Sequence, residues 1–135
     1  MVVNRLEFSV PLKMKYSKTK FFTLNLNQYR NAHHRILSNS KSNFDDYIKS
    51  LHLKEKCPTV IDGKVKVTYK CFRATKHKYD LMNVASIIDK FTMDALVKEG
   101  ILHDDNYLYV AWPKFIHGGV DKENPRCDVV ISVIN

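Results

Sequence analysis

Residues 76–106 read K-H-K-Y-D-L-M-N-V-A-S-I-I-D-K-F-T-M-D-A-L-V-K-E-G-I-L-H-D-D-N, the most informative stretch of the chain. It predicts a short polar loop, an amphipathic helix over 83–98, and a second loop that ends on two adjacent aspartates. Gly100 is suited to end that helix. On a wheel of about 100° per residue, one arc predicts the core face and contains Val84, Ile87, Ile88, Phe91 and Ala95.

A polar line runs beside this apolar arc. Asn83, Lys90 and Asp94 fall within about 40° of one another on the wheel. One interpretation is a solvated face with a Lys90–Asp94 ion pair. The other is a helix edge that points into a charged pocket, which Asp80 enters from the first loop and Asp104-Asp105 from the second.

Clustered carboxylates need an explanation in a basic chain. The sequence has 135 residues and a net charge of +8, from 22 Lys and Arg against 14 Asp and Glu. Such an excess attracts polyanions, with nucleic acid the first candidate and an anionic membrane the second. No apolar run approaches the ~20 residues that span a bilayer. Carboxylates repel phosphates unless a divalent cation lies between them, so the combination favours a metal-dependent nuclease.

The three cysteines are Cys57, Cys71 and Cys127, widely spaced and without a CxxC pair. This spacing is typical of reduced thiols rather than of a zinc site or a disulfide framework. The N-terminal residues lack the apolar core of a secretory signal. We therefore expect a cytoplasmic protein, in a bacterial host cytoplasm if the gene belongs to a phage.

The remaining patterns predict a small sheet. Alternation predicts strands at 2–12, 64–73, 107–116 and 127–134, with a loop H-G-G-V-D-K-E-N-P-R between the last two. Helical spacing over 40–53 predicts a second helix, capped by Ser40 or Ser42. Residues 13–35 predict a long basic loop with a short helix near 27–35. The expected fold is a single α+β domain, a mixed sheet of about four strands with two main helices.

At residues 80–105 the chain resembles the RusA family of Holliday junction resolvases. The family pattern is D-L-D-N, a helix with K-x-x-x-D-A-L, a glycine and a D-D pair. The corresponding segments here are D-L-M-N at 80–83, K-F-T-M-D-A-L at 90–96, Gly100, and D-D at 104–105. L-N-L-N-Q-Y-R at 24–30 is loosely similar to an N-terminal family segment.

The resemblance implies one endonuclease domain over 1–135 that functions as a homodimer in DNA recombination and repair. It implies Mg²⁺ as cofactor, with Mn²⁺ able to substitute, and symmetric paired nicks in four-way DNA that leave 5′-phosphates. Asp80, Asp104 and Asp105 would be metal ligands and catalytic together with Lys90, and Asn83 would be a further metal ligand or the helix cap. The basic residues implied to contact phosphates are Lys18, Lys20, Arg30, Arg73, Lys76 and Lys78.

Two departures from the family pattern stand out. Met82 replaces the second loop aspartate, and a thioether is a poor ligand for a hard cation. The helix from Asn83 to Lys90 is also about one turn longer, which moves Lys90 along the axis. Asp89 is a substitute carboxylate, although the wheel places it more than about 90° from Asn83.

Aromatic residues outside the motif have two interpretations each. Tyr16, Phe21 and Phe22 lie among lysines, where they could wedge into a DNA junction or anchor the loop to the core. Trp112 is expected in the core or at a dimer contact.

Three functional hypotheses follow from the sequence. The first is a structure-selective endonuclease of phage or prophage type. The second is a protein of the same fold that binds branched DNA with little or no cutting, which Met82 favours. The third is an interaction protein whose acidic pocket is a surface feature.

Overall fold

The computed structural model describes residues 4–134. The strands are β1 (Arg5–Val10), β2 (Lys13–Lys15), β3 (Phe21–Thr23), β4 (Val65–Arg73), β5 (Val110–Val120) and β6 (Arg126–Val133). The helices are α1 (Leu26–Asn31), α2 (His34–Ser50), α3 (Leu53–Lys56) and α4 (Leu81–Lys98). The predicted α+β class, with a mixed four-stranded sheet and two main helices, is confirmed. Residues 2 and 3 of the first predicted strand lie outside the described residues.

The main sheet has the strand order β1-β6-β4-β5. The central strand β4 pairs antiparallel with β6 and parallel with β5. Parallel neighbours need a crossover connection, which α4 supplies. The motif of residues 80–105 therefore lies in the crossover between two adjacent parallel strands.

The helix α4 forms one wall of the core. Its five predicted core residues are all buried, which confirms the apolar arc. Thr92, Met93 and Leu96 are buried as well. The buried surface is wider than one arc because α1 and α2 also pack against this helix.

The expectation of a long loop at 13–35 is wrong, although the short helix predicted near 27–35 corresponds in part to α1. These residues form a β2–β3 hairpin, then α1, and then the first turn of α2. Phe22 holds the hairpin against the core, because its buried ring stacks on Phe91 of α4 with centroids 5.9 Å apart. Strands of three residues are too short for alternation to reveal them. Phe22 therefore anchors to the core rather than wedging into a ligand.

Two predicted boundaries also differ. The helix α2 begins at His34, not near residue 40, and the His33 imidazole Nδ1 accepts a hydrogen bond from the Arg35 amide at 3.2 Å. Ser40 is buried inside α2 and Ser42 also lies within it, so neither caps this helix. His117–Val120 continue β5 instead of forming a loop, and the connection to β6 starts at Asp121.

We expect Phe22→Ala to lower the free energy of unfolding by about 3–5 kcal/mol, the usual cost of emptying a buried aromatic site. Phe21→Ala is the matched control, since Phe21 is 43% exposed while Phe22 is 1% exposed. Its cost should stay below about 1 kcal/mol. Urea unfolding of both variants gives the comparison, and equal losses would contradict this packing.

Candidate active site

Asp80 lies at the N-terminus of α4 and caps it. Its carboxylate Oδ1 accepts a hydrogen bond from the Met82 amide at 3.1 Å. Its backbone carbonyl accepts one from the Asn83 amide, also at 3.1 Å. The cap is therefore Asp80 and not Asn83. Met82, at the position of the family's second aspartate, is 67% exposed.

The other end of α4 reverses the chain direction through Gly100. This glycine has a φ of +74°, and its amide donates to the Val97 carbonyl at 3.0 Å. The Ile101 amide donates to the Leu96 carbonyl at 2.9 Å, and both of these side chains are buried. This pair of bonds with an apolar contact is a Schellman motif. It fixes the direction in which the D-D loop leaves the helix.

Asp104 organises that loop. One carboxylate oxygen accepts from the Asp105 amide at 2.7 Å, and the other accepts from the Asn106 side-chain amide at 3.1 Å. The Asn106 side chain in turn accepts from the Leu108 amide at 2.9 Å. Both oxygens of Asp104 are thus engaged within the loop, whereas Asp105 is presented to solvent.

The loop, α2 and α4 enclose an acidic cleft of about 580 Å³. The residues that line this cleft are Ser38, Lys41, Ser42, Asp45, Asp94, Val97, Lys98, Asp104 and Asp105. The structure therefore brings Asp104 and Asp105 beside Asp94, which the sequence placed on the polar line.

Ion pairs cross the acidic cleft between α2 and α4. The Asp94 carboxylate lies 2.5 Å from the Lys41 ammonium and 3.8 Å from that of Lys90. Lys98 pairs with Asp45 at 3.1 Å. The Lys90–Asp94 pair confirms the prediction from spacing. Lys41 and Asp45 were missed because 53 residues separate each from its partner.

Asp89 is a half-buried carboxylate on the side of α4 that faces the sheet. It accepts a hydrogen bond from the hydroxyl of Tyr69 on β4 at 2.5 Å. Burial raises the pKa of Asp89, the Tyr69 hydrogen bond opposes that rise, and the charges of Asp105 and Asp94 add to it. The pKa of Asp105 is also raised, by desolvation first and then by its neighbours Asp104 and Asp94. Asp89 and Asp105 are thus within electrostatic reach of each other.

The predicted metal ligands come from both ends of α4. Asp80 and Asp94 are fourteen residues apart, about 21 Å along a helix that rises ~1.5 Å per residue. Asp104 and Asp105 line the acidic cleft beside Asp94, whereas Asp80 and Asn83 are not among the residues that line it. Within residues 4–134, no three His, Cys, Asp or Glu side chains converge as a metal-holding group.

A second candidate pair of oxygen donors is Asp105, which lines the acidic cleft, and Asp89, which does not line it but whose pKa is raised by the charge of Asp105. Mg²⁺ commonly takes one or two protein carboxylates and completes its shell with water and substrate phosphates. The charge of Asp105 raises the pKa of Asp89, and a cation between two such carboxylates would relieve this repulsion. Asp89 and Asp105 are therefore candidate ligands for a divalent cation, beside the predicted set of Asp80, Asn83, Asp104 and Asp105.

The predicted phosphate contacts are divided between two surfaces. Lys18 and Lys20 are exposed in the β2–β3 turn, and Arg30 is exposed on α1. Lys76 and Lys78 are exposed in the loop before α4. Arg73 differs, because its guanidinium lies 4.1 Å from the ring centroid of Tyr79 and is half-buried.

Comparison with other proteins assigns no family, since no family model and no curated protein matches this chain. Over the described residues, none of the helices combines the length and apolar character needed to cross a membrane.

We expect Asp89→Asn to stabilise the protein at neutral pH. The folded-state pKa of Asp89 is raised, so the stability that its proton contributes is lost as pH rises through that pKa. Asparagine removes this loss and retains an oxygen for the Tyr69 hydroxyl. The two proteins should converge in stability below the ordinary value of 3.8.

Denaturant unfolding between acid and neutral pH measures this difference. Asp46→Asn is the control, since Asp46 is an exposed carboxylate on α2 outside the acidic cleft. A loss of stability in Asp89→Asn across the whole pH range would contradict the expectation.

Proposed function

We propose that this protein is a divalent-cation-dependent endonuclease that cuts branched DNA, with four-way junctions as the substrate class. The observation that supports this most is the acidic cleft, where the loop brings Asp104 and Asp105 beside Asp94 in a chain of net charge +8, and where the charge of Asp105 reaches the half-buried Asp89. Carboxylates are gathered there while most of the surface charge is positive. A cation between protein and phosphate reconciles the two.

Asp89 and Asp105 would hold the cation. When bound, it would supply a water of lowered pKa as nucleophile and charge stabilisation for the phosphate. The Tyr69 hydroxyl fixes the orientation of Asp89 through its 2.5 Å hydrogen bond. Asp104 acts as a positioning residue, because its two hydrogen bonds shape the loop that carries Asp105.

Lys90 would supply fixed positive charge at the scissile phosphate. The Lys90 side chain is 46% exposed and its ammonium lies 3.8 Å from the Asp94 carboxylate, so it is held in place yet open to solvent. A preplaced cation of this kind stabilises the charge that develops in phosphoryl transfer. Lys41, on the other side of Asp94, places a second ammonium at the same cleft.

Exposed lysines and arginines would contact the DNA backbone. Lys18, Lys20 and Arg30 would contact phosphates from the hairpin and α1, and Lys76 and Lys78 from the loop before α4. Such contacts position DNA without reading its sequence. A homodimer in the cytoplasm, with one cleft for each opposed strand, would match the two-fold symmetry of a junction.

A second candidate function is recognition of branched DNA without cutting. Two observations favour it. Asp80 uses one carboxylate oxygen to cap α4 and does not line the acidic cleft, and Met82 offers no oxygen ligand where the RusA pattern has an aspartate.

We expect Asp105→Asn to reduce cleavage of a labelled four-way junction in Mg²⁺ by about a hundredfold or more, since a lost ligand removes several kcal/mol of transition-state stabilisation. Junction binding in EDTA should be retained. Asp80→Asn is the matched comparison at the other end of α4, and it should retain most of the activity if the cation lies at Asp89 and Asp105.

The pattern of loss distinguishes the alternatives. Cleavage that is abolished by Asp80→Asn but not by Asp105→Asn would contradict the assignment of the cleft. Tight junction binding with no cutting by the wild type, in Mg²⁺ or Mn²⁺, would establish the second candidate. Failure to bind junctions would reject both.

A further inference from the structure

The main sheet has a second surface, directed away from α4. On β4, Val65, Val67 and Tyr69 are buried, whereas the alternate residues Lys66 and Lys70 are exposed. Residues in register on parallel neighbours share a face, since side chains alternate along each strand. The outer face therefore comprises Lys66, Thr68 and Lys70 of β4 with their partners Trp112, Lys114 and Ile116 of β5.

Trp112 is an exposed aromatic residue surrounded by lysine side chains. It is directly beside Lys66 in the register, and Lys114 follows two residues later on the same strand. The indole is 49% exposed, so the expectation that it lies in the core is wrong. A large aromatic ring left in solvent on a flat strand surface contributes little to folding and is available to stack.

The charge of the outer face is positive. In residues 4–134, no carboxylate lies within ion-pair distance of Lys66, Lys70 or Lys114. Two acidic residues share this surface, Asp128 on β6 as the cross-strand neighbour of Lys70 and Glu7 on β1. Asp128 pairs with Arg126 at 3.0 Å, and Glu7 pairs with Arg5 at 2.6 Å. Because each carboxylate is matched by an arginine, the three lysines give this face its excess positive charge.

A second aromatic ring continues the outer face toward the end of β4. The half-buried ring of Phe72 has the Lys70 ammonium 5.6 Å and the Arg126 guanidinium 4.3 Å from its centroid. Gly118 gives this ring its space, because a Cβ there would lie 2.9 Å from the ring. The face thus has aromatic surface at both ends, with lysines between.

We propose that the outer face binds single-stranded nucleic acid, with a base stacked on Trp112 and the backbone phosphates near Lys66, Lys70 and Lys114. Exposed aromatic rings among cations suit unpaired bases, which offer a free π-face. A duplex keeps its bases stacked internally, so it would use the lysines and leave the indole unused. This inference does not rest on cutting in the acidic cleft, which lies on the helical side.

The protein has one tryptophan, which makes Trp112 its own reporter. An oligo-dT of about fifteen nucleotides, in the usual range of such sites, should quench the tryptophan emission. The quench should weaken as salt is raised. Binding of the same labelled oligonucleotide, followed by anisotropy, should weaken about tenfold or more in Trp112→Ala. Trp112→Phe should restore most of the affinity.

Tyr107→Ala is the matched control. Tyr107 is an aromatic residue at 78% exposure that lies in the loop before β5 and not on the outer face. Its loss should leave oligo-dT binding unchanged. Lys66→Ala and Lys114→Ala should each reduce the slope of log affinity against log salt concentration by about the amount expected for one lost phosphate contact.

Three results would overturn the inference. One is equal oligo-dT affinity in Trp112→Ala and wild type. Another is an absence of quenching at low salt. The third is a dimer that Trp112→Ala converts to a monomer in light scattering without loss of oligo-dT affinity, which would assign this face to a second copy. Asp105→Asn should bind oligo-dT like the wild type. Loss of junction cleavage is therefore distinguishable from loss of single-strand binding on the outer face.

Discussion

The packing around Phe91 is the constraint on which the other features depend. Its ring stacks on Phe22 of β3 at 5.9 Å and meets the edge of Phe44 of α2 at 5.6 Å, with planes 79° apart. One side chain of α4 thus fixes both the hairpin and the second main helix. Because α2 and α4 form the walls of the acidic cleft, the distance between Lys41 and Asp94 follows from this aromatic contact. Rings in such pairs contribute beyond their buried area.

The predictable parts of the fold are those with long periodic patterns. The alternation of β4 and the apolar arc of α4 each extend over several repeats, and both were located to within a few residues. The hairpin β2–β3 has three residues per strand and owes its position to Phe22, whose partner is distant in sequence. The extension of β5 through Gly118 and Gly119 was missed because glycine ordinarily weakens a strand.

The contacts of the cleft residues were likewise predictable where the partners are close in sequence and unpredictable where they are distant. The Lys90–Asp94 pair follows from a spacing of four on one helix. The partners of Asp89 and Asp94 on β4 and α2 lie 20 and 53 residues away, where no local pattern reports them. Asp80 and Asp105 both flank the helix in sequence, which suggested a shared site. A helix of 18 residues is about 27 Å long, however, so its two ends are far apart.

The acidic cleft is better explained by chemistry than by stability. Burial and neighbouring charges raise the pKa of Asp89, so its ionised form costs free energy in the folded state. A neutral side chain would avoid that cost while still meeting Tyr69. Asp104 likewise commits both oxygens to a loop that presents Asp105 beside other carboxylates. Local bonds that hold like charges together are typical of functional sites. The outer face shows no comparable strain, since Lys66 and Lys114 remain solvated there. In the proposed function, the acidic cleft accordingly supplies the chemistry and the basic surfaces supply the affinity.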